Sequence, residues 1–167
     1  MIQAFPQFGL LYAARPLPGV APGARPPRAA QSAAAEGLLR ELRGAAPAGR
    51  SSKAHARGWV AAAVAPEGPV GIDIEYCEPG RDIGAIAAWL MGAPAPNDAS
   101  AYRVFTFREA YFKAVGEWPA ATLLRAVSTG GDAIALGDLS ARFELPAPDF
   151  VLALVWSGQG DVRRFAA

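Results

Sequence analysis

Apolar residues recur at helical spacing in three stretches of the chain. Residues 28–43 are rich in strong helix formers, and their apolar positions form one stripe: Ala35, Leu38, Leu39 and Leu42. Residues 82–91 and 99–115 also read as helices, and Gly116 and Pro119 end the longer of the two. We therefore predict three helices.

Shorter runs that alternate, or are apolar throughout, predict β-strands. These runs cover residues 2–14 (interrupted at Pro6), 59–65, 70–76, 123–129, 133–136, 141–145, 150–156 and 163–165. The segments 15–27 and 49–55 read as loops, and a tight turn at 66–69 joins strands 59–65 and 70–76 into a hairpin. This order predicts an α+β fold, with an antiparallel sheet packed against the long helix.

Composition narrows the class of protein without identifying it. A chain of 167 residues that is 52% hydrophobic and 19% charged can bury one globular core. Its formal net charge of +1 creates no strong field toward nucleic acid or a membrane, so we expect neither as a partner. Cys77 is the only cysteine, and the apolar first residues lack a basic region and are too short to span a bilayer. We expect a cytoplasmic protein.

Two carboxylates share one face of the predicted strand 70–76. Strand alternation places Asp73 and Glu75 on one side and the apolar residues on the other. Like charges this close repel each other unless a cation lies between them, and a hard divalent ion such as Mg²⁺ suits carboxylate oxygens. The alternative is an ordinary strand whose polar face lies at the surface.

A third carboxylate lies on the long predicted helix. Glu109 shares a face with Phe105 and Phe112, which would place it on the apolar side of the helix. A carboxylate is costly to bury there unless it is paired or bound to a metal. The alternative is a surface ion pair between Glu109 and Lys113, which are four residues apart.

Three segments together resemble the 4′-phosphopantetheinyl transferase superfamily. They are Gly-Ile-Asp-Ile-Glu at 71–75, Phe-Thr-Phe-Arg-Glu-Ala-Tyr-Phe-Lys at 105–113, and a histidine segment at 52–60. Glu109 follows Asp73 by 36 residues, close to the spacing of the family. The resemblance implies a single domain over 1–167 of the fused type, a pseudo-twofold pair of halves with a reduced first half. The halves would span about 1–66 and 67–167.

The resemblance also implies a reaction. The 4′-phosphopantetheine group of coenzyme A would pass to a serine of an acyl or peptidyl carrier protein, and 3′,5′-ADP would leave. Asp73, Glu75 and Glu109 would hold Mg²⁺, for which Mn²⁺ is a possible substitute. Glu109 would also take the serine proton, and Lys113 would stabilise charge on the leaving phosphate.

Coenzyme A would be bound by basic residues. His55, the only histidine, would contact its 3′-phosphate, and the further cationic candidates are Arg28, Arg50, Lys53, Arg108 and Lys113. The chain departs from the family pattern at four positions. Alanines replace the serines that flank the histidine, at Ala54 and Ala56, Arg108 replaces a lysine, and Trp118 replaces a glycine.

Two alternatives remain open at this level. The chain could be a degenerate, non-catalytic family member that binds a carrier protein or another partner. It could also be a different Mg²⁺-dependent enzyme acting on phosphates. Because a carrier protein presents an acidic helix, we expect an arginine-bearing apolar surface to receive it, first of all within residues 77–104.

Overall fold

The computed structural model describes residues 9–21, 23–46, 48–157 and 161–165, and within them four helices and eight strands. In chain order the elements are β1 (Leu10–Pro16), α1 (Arg28–Ala45), β2 (Arg50–Ala56), β3 (Trp59–Ala65), β4 (Val70–Tyr76), α2 (Ile83–Met91), α3 (Asp98–Val115), α4 (Ala121–Thr129), β5 (Ala133–Leu136), β6 (Leu139–Glu144), β7 (Phe150–Ser157) and β8 (Val162–Arg164). The predicted start of the first strand, with its break at Pro6, lies outside the described residues.

The strands form two sheets rather than the single sheet we predicted. Sheet 1 has the order β2-β3-β1-β8 and sheet 2 the order β4-β7-β6-β5. All strand pairs are antiparallel except β1–β8, which is parallel. A common apolar core lies between the sheets, α1 packs on the outer side of sheet 1, and α2, α3 and α4 pack on the outer side of sheet 2.

Strand alternation explains this layering, as β4 illustrates. Val70, Ile72 and Ile74 belong to the core between the sheets. The intervening residues, Gly71 and Asp73, are buried on the other side, where α3 covers the strand. Because both faces are covered, a strand of this kind needs apolar or paired side chains on each of them.

The α+β class, the mostly antiparallel pairing and the long helix are confirmed, as are the helices predicted at 28–43, 82–91 and 99–115. The pseudo-twofold relation of two halves and the division near residue 66 stay predictions. No helix in the described part of the chain is long and apolar enough to cross a membrane.

The predicted hairpin of strands 59–65 and 70–76 is wrong. Strand β3 lies between β1 and β2 in sheet 1, whereas β4 pairs with β7 in sheet 2. Both edges of β3 are therefore occupied, and the turn at residues 66–69 carries the chain from one sheet to the other. Turn residues alone could not distinguish these two outcomes.

Two further elements differ from the prediction. The basic segment 49–55 is not a loop but strand β2, whose backbone pairs with β3 along its whole length. The strand was missed because its own residues are mostly small or polar and show no apolar alternation. The apolar residues that surround it belong to other elements. Residues 123–129 are not a strand but part of α4, which buries Leu124, Val127 and Ser128 at helical spacing. A run of seven residues was too short to separate the two periods.

Candidate functional site

The close approach of α3 to β4 organises the site. At Gly71 an added Cβ would lie only 1.9 Å from the carbonyl oxygen of Ala110 and 2.9 Å from the backbone nitrogen of Ala114. The helix backbone therefore rests directly on the strand, which only glycine permits here. This contact brings the side chains of α3 beside the carboxylates of β4.

Lys113 bridges helix and strand. Its Nζ donates to Asp73 Oδ1 at 2.7 Å and to the carbonyl oxygen of Ile72 at 3.0 Å. The Asp73 side chain is only 10% exposed, and its Oδ2 is buried without a hydrogen-bond partner in the described residues. Burial raises the pKa of Asp73 to about 6, against the lowering effect of Lys113. Asp73 is thus a buried carboxylate with one bonded and one bare oxygen.

Glu75 and Glu109 complete an acidic cluster with Asp73. Burial, followed by the negative charge of Asp73, raises the pKa of Glu75 to about 7, and Glu109 adds to that effect. Each of these two carboxylates faces an arginine: Arg81 Nη1 lies 3.2 Å from Glu75, and Arg108 Nη1 lies 2.8 Å from Glu109. Because Lys113 contacts Asp73, each of the three predicted metal ligands is paired with a cationic side chain.

The position of Glu109 differs from the expectation. The core side of α3 consists of other residues, including Phe107, Ala110 and Ala114. Glu109 lies at the margin of the helix, where Phe112 is exposed. The ordinary Glu109–Lys113 pair is not formed, because Lys113 turns to Asp73 and Glu109 to Arg108.

The donor chemistry of the cluster fits a hard divalent cation. Asp73, Glu75 and Glu109 offer only carboxylate oxygens, and the bare Oδ2 of Asp73 is a buried acceptor that lacks a donor. Within the described residues no three histidine, cysteine, aspartate or glutamate side chains form a preassembled metal site. Glu75 and Glu109 could bind Mg²⁺ together with Asp73 only after Arg81 and Arg108 move away from them.

The histidine lies on β2, beside α1. The outward side chains of β2 each meet a residue of α1: Ser51 accepts from Arg43 at 2.7 Å, Lys53 pairs with Glu36, and His55 Nε2 lies 3.2 Å from Ser32 Oγ. The pKa of His55 is lowered, first by burial and then by the positive charges of Arg28 and Lys113. Lys113 therefore acts on both His55 and Asp73.

The structure brings most, but not all, of the predicted residues together. Asp73, Glu75, Glu109, Lys113 and Arg108 form one cluster, and the charges of Arg28 and Lys113 both act on His55. Lys53 is engaged by Glu36.

Arg50 is the predicted residue farthest from the histidine along the strand. It is exposed at the first position of β2, about 16 Å from His55 at a rise of about 3.3 Å per residue. Arg50 therefore lies at the end of β2 opposite to His55.

Two neighbours of the site were not predicted. Ser32 on α1 places its hydroxyl oxygen 3.2 Å from Nε2 of His55. Arg81 pairs with Glu75, and its guanidinium carbon lies 4.7 Å from the centroid of the Phe105 ring. The role of Ser32 could not be predicted from the sequence, because its contact with His55 joins two different elements, α1 and β2. Arg81 could have been suspected from its place directly after the Pro79-Gly80 break.

A cavity of about 240 Å³ lies elsewhere in the described structure and contains none of the predicted site residues. Arg103 lines it together with Phe143, Glu144, Leu145 and Val151. Arg103 is already paired with Asp132 and stacked on Phe143. The charged cluster on β4 and α3 is the stronger candidate for a functional site. It contains the buried Asp73 oxygen without a hydrogen-bond partner and the two carboxyl groups, Asp73 and Glu75, whose pKa values are raised.

A comparison with models of known protein families finds no match, and neither does a comparison with curated proteins.

Proposed function

We propose that this protein transfers the 4′-phosphopantetheine group of coenzyme A to a serine of an acyl or peptidyl carrier protein. The observation that carries the proposal is the position of Lys113. Its ammonium group touches Asp73 of the acidic cluster, and its charge acts on His55 of sheet 1. One cation is therefore close enough both to the carboxylates and to His55 to influence them.

This division of charge suits coenzyme A. The carboxylates Asp73, Glu75 and Glu109 could hold Mg²⁺ against the pyrophosphate, while His55, Ser32 and Arg28 could meet the 3′-phosphate. Burial and the nearby positive charges lower the pKa of His55, which favours the neutral ring, and a neutral imidazole would bind the phosphate through a ring N–H. Mn²⁺ meets the same donor requirement as Mg²⁺.

In phosphoryl transfer, the protein contributes mainly by positioning the reactants and neutralising charge. When bound, Mg²⁺ would neutralise the charge of the pyrophosphate. The serine Oγ of the carrier protein would form a bond to the β-phosphorus, and the bond from that phosphorus to the leaving oxygen of 3′,5′-ADP would break. Glu109 would receive the serine proton, and the Lys113 ammonium would stabilise the phosphate that leaves.

The test is the mass of a carrier protein. The purified chain, coenzyme A and Mg²⁺ are mixed with an apo carrier protein, and a gain of one phosphopantetheine group is expected, which EDTA abolishes. Glu109→Gln should lose the activity, whereas Glu117→Gln, an exposed glutamate just beyond α3, should keep it. No gain with several carrier proteins, beside an active control transferase, would refute the proposal.

Two observations favour a second function, a non-catalytic module that binds a carrier protein or another partner. All three carboxylates are already paired with cations, and alanines flank His55. Such a module would bind the carrier protein, measured by calorimetry, without changing its mass. A different phosphate enzyme that uses Mg²⁺ would instead show no affinity for coenzyme A. In each case we propose a cytoplasmic location and no nucleic-acid or membrane partner.

A further inference from the structure

Trp118 folds back over the last turns of α3. The helix ends at Val115. The next residue, Gly116, has a left-handed backbone conformation with φ of 85°, and its N–H donates to the carbonyl oxygen of Phe112 at 2.7 Å. Two residues later the Trp118 ring stacks on Phe112, with 4.1 Å between centroids and 18° between planes. The guanidinium carbon of Arg108 lies 3.5 Å from the Trp118 ring centroid.

Arg108 is therefore held on two sides. Its Nη1 donates to Glu109 Oε1 at 2.8 Å, and its guanidinium plane is within cation–π distance of Trp118. Trp118 itself is 48% exposed and so contributes little to the core. The described contacts of the Trp118 ring are with Phe112 and Arg108. The main structural effect of Trp118 is therefore to orient the Arg108 side chain.

Two departures from the resembled sequence pattern meet in this one contact. Arg108 stands in place of a lysine, and Trp118 in place of a glycine. A guanidinium is planar and weakly hydrated, so it stacks on an aromatic ring better than an ammonium does. An arginine is therefore better suited than a lysine to the contact with the Trp118 ring.

We infer that Trp118 is a positioning residue that holds Arg108 against Glu109 and thereby weakens cation binding at the acidic cluster. The inference rests on the proposed function for the role of Glu109 as a metal ligand. While Arg108 occupies the carboxylate of Glu109, a divalent ion must displace it. We call this pair of side chains the Arg108–Trp118 latch.

The test measures Mn²⁺ affinity by titration with detection of free Mn²⁺ by electron paramagnetic resonance. Trp118→Leu changes no charge but frees the guanidinium, so Mn²⁺ should bind about threefold more tightly. Trp118→Phe retains a ring and should stay near the wild-type value. Arg108→Gln should also tighten binding, and adding Trp118→Leu to it should have no further effect.

Trp89 provides the matched control, because it is 81% exposed on α2 and makes no described contact with the cluster. Trp89→Leu should leave Mn²⁺ affinity unchanged. If wild-type protein binds Mn²⁺ but Trp118→Leu behaves like Trp89→Leu, the latch is refuted and the proposed function stands. If Trp118→Leu acts equally in the Arg108→Gln background, the latch is refuted as well.

Nuclear magnetic resonance supplies a readout that needs no metal. The Arg108 Nε–Hε signal should be shifted by the Trp118 ring current and should report restricted motion, and both features should vanish in Trp118→Leu. A mobile, unshifted signal in the wild-type protein refutes the latch. If the signal is shifted but wild-type protein binds no Mn²⁺, the metal assignment of the proposed function fails, and the competition at Glu109 fails with it.

Discussion

Asp73 shows how one residue concentrates the chemistry of the site. Its Oδ1 accepts from Lys113, while Oδ2 is buried and bare in the described residues. A buried acceptor without a donor costs about 1–3 kcal/mol, so the native fold keeps Asp73 at the expense of stability. Such a residue is expected where function, rather than packing, determines its identity.

Asp73→Asn should lower the affinity for Mn²⁺ at least about tenfold, because the substitution keeps the volume of the side chain but removes its charge. Isothermal titration calorimetry measures the effect. Asp132→Asn is the matched control, since Asp132 is exposed and paired with Arg103. Equal affinities of the two variants would contradict the assignment of Asp73 as a metal ligand.

The raised pKa values of Asp73 and Glu75, about 6 and about 7, predict an unusual pH dependence. The folded state holds these protons more tightly than the unfolded state, so the metal-free protein should lose stability as pH rises from about 4 to about 7. The loss should be on the order of 3 kcal/mol for each of the two carboxylates. Over pH 6–8 the affinity for Mg²⁺ should rise, because the carboxylates become ionised.

Thermal unfolding in EDTA and in Mg²⁺, from pH 5 to pH 8, measures both effects. Glu75→Gln should flatten the decline in EDTA, because it removes one of the two titrating groups, and Glu117→Gln should not. The prediction is contradicted if the stability of the wild-type protein in EDTA rises steadily from pH 5 to pH 8 and Glu75→Gln follows the same curve. Burial would then not determine the pKa values of these carboxylates.

Ser32→Ala should weaken binding of 3′,5′-ADP about fivefold, the equivalent of one hydrogen bond of about 1 kcal/mol. The reason is that Ser32 fixes the ring of His55 through the 3.2 Å contact between Oγ and Nε2. Calorimetric titration measures the affinity, with Ser140→Ala on β6 as the control. An unchanged affinity in Ser32→Ala would remove Ser32 from the phosphate site.

At the scale of elements, the site depends on how closely α3 lies on β4. Gly71→Ala would place a Cβ 1.9 Å from the Ala110 carbonyl oxygen, a clash with backbone that cannot be relieved by a rotamer change. We expect a loss of about 3 kcal/mol in the free energy of unfolding, measured by urea denaturation, and a weaker affinity for Mn²⁺.

Gly84→Ala is the matched control for this prediction. Gly84 lies inside α2, and the nearest atom to an added Cβ is Asp98 Oδ1 at 3.9 Å. Alanine should therefore stabilise the helix by about 0.5–1 kcal/mol. Equal stability of the two variants would mean that α3 can move away from β4 without cost.

The most successful predictions from the sequence concern elements whose own side chains show a clear hydrophobic periodicity. Helix α3 and strand β4 were found because an 18-residue helix and a strictly alternating strand each leave a clear period. Strand β2 was missed because its apolar environment comes from β3 and α1, and α4 was misassigned because its nine residues fit two periods.

The same reasoning applies to the site. Asp73, Glu75 and Glu109 could be nominated from spacing within single elements and Lys113 only from the resemblance, and the four do lie together. Their actual pairing could not be predicted, because it depends on distances between elements. Lys113 is four residues from Glu109 yet bonds to Asp73, which is 40 residues away.

At the scale of the whole molecule, the site lies where the two sheets meet. His55 belongs to β2 of sheet 1, and Asp73 belongs to β4 of sheet 2. These strands meet at a polar contact, in which the Ile72 N–H donates to Ser52 Oγ at 3.1 Å. The relative position of His55 and the acidic groups therefore depends on this junction between the sheets.

Ser52→Ala should lower the free energy of unfolding by about 2 kcal/mol, because it leaves the buried Ile72 N–H without an acceptor. Urea denaturation followed by circular dichroism in the far and near ultraviolet measures the change. Ser51→Ala, next along the same strand, removes only an exposed bond from Arg43 and should cost less than about 0.5 kcal/mol.

Both variants should unfold in one transition that coincides for the two signals, because the apolar core between the sheets is shared. The affinity for 3′,5′-ADP should fall in Ser52→Ala and not in Ser51→Ala, since only the former loosens β2 from β4. Two separate transitions would instead mean that the sheets fold independently, in which case His55 and Lys113 would not be held in a fixed relation and the coenzyme A site proposed between them would lose its structural basis.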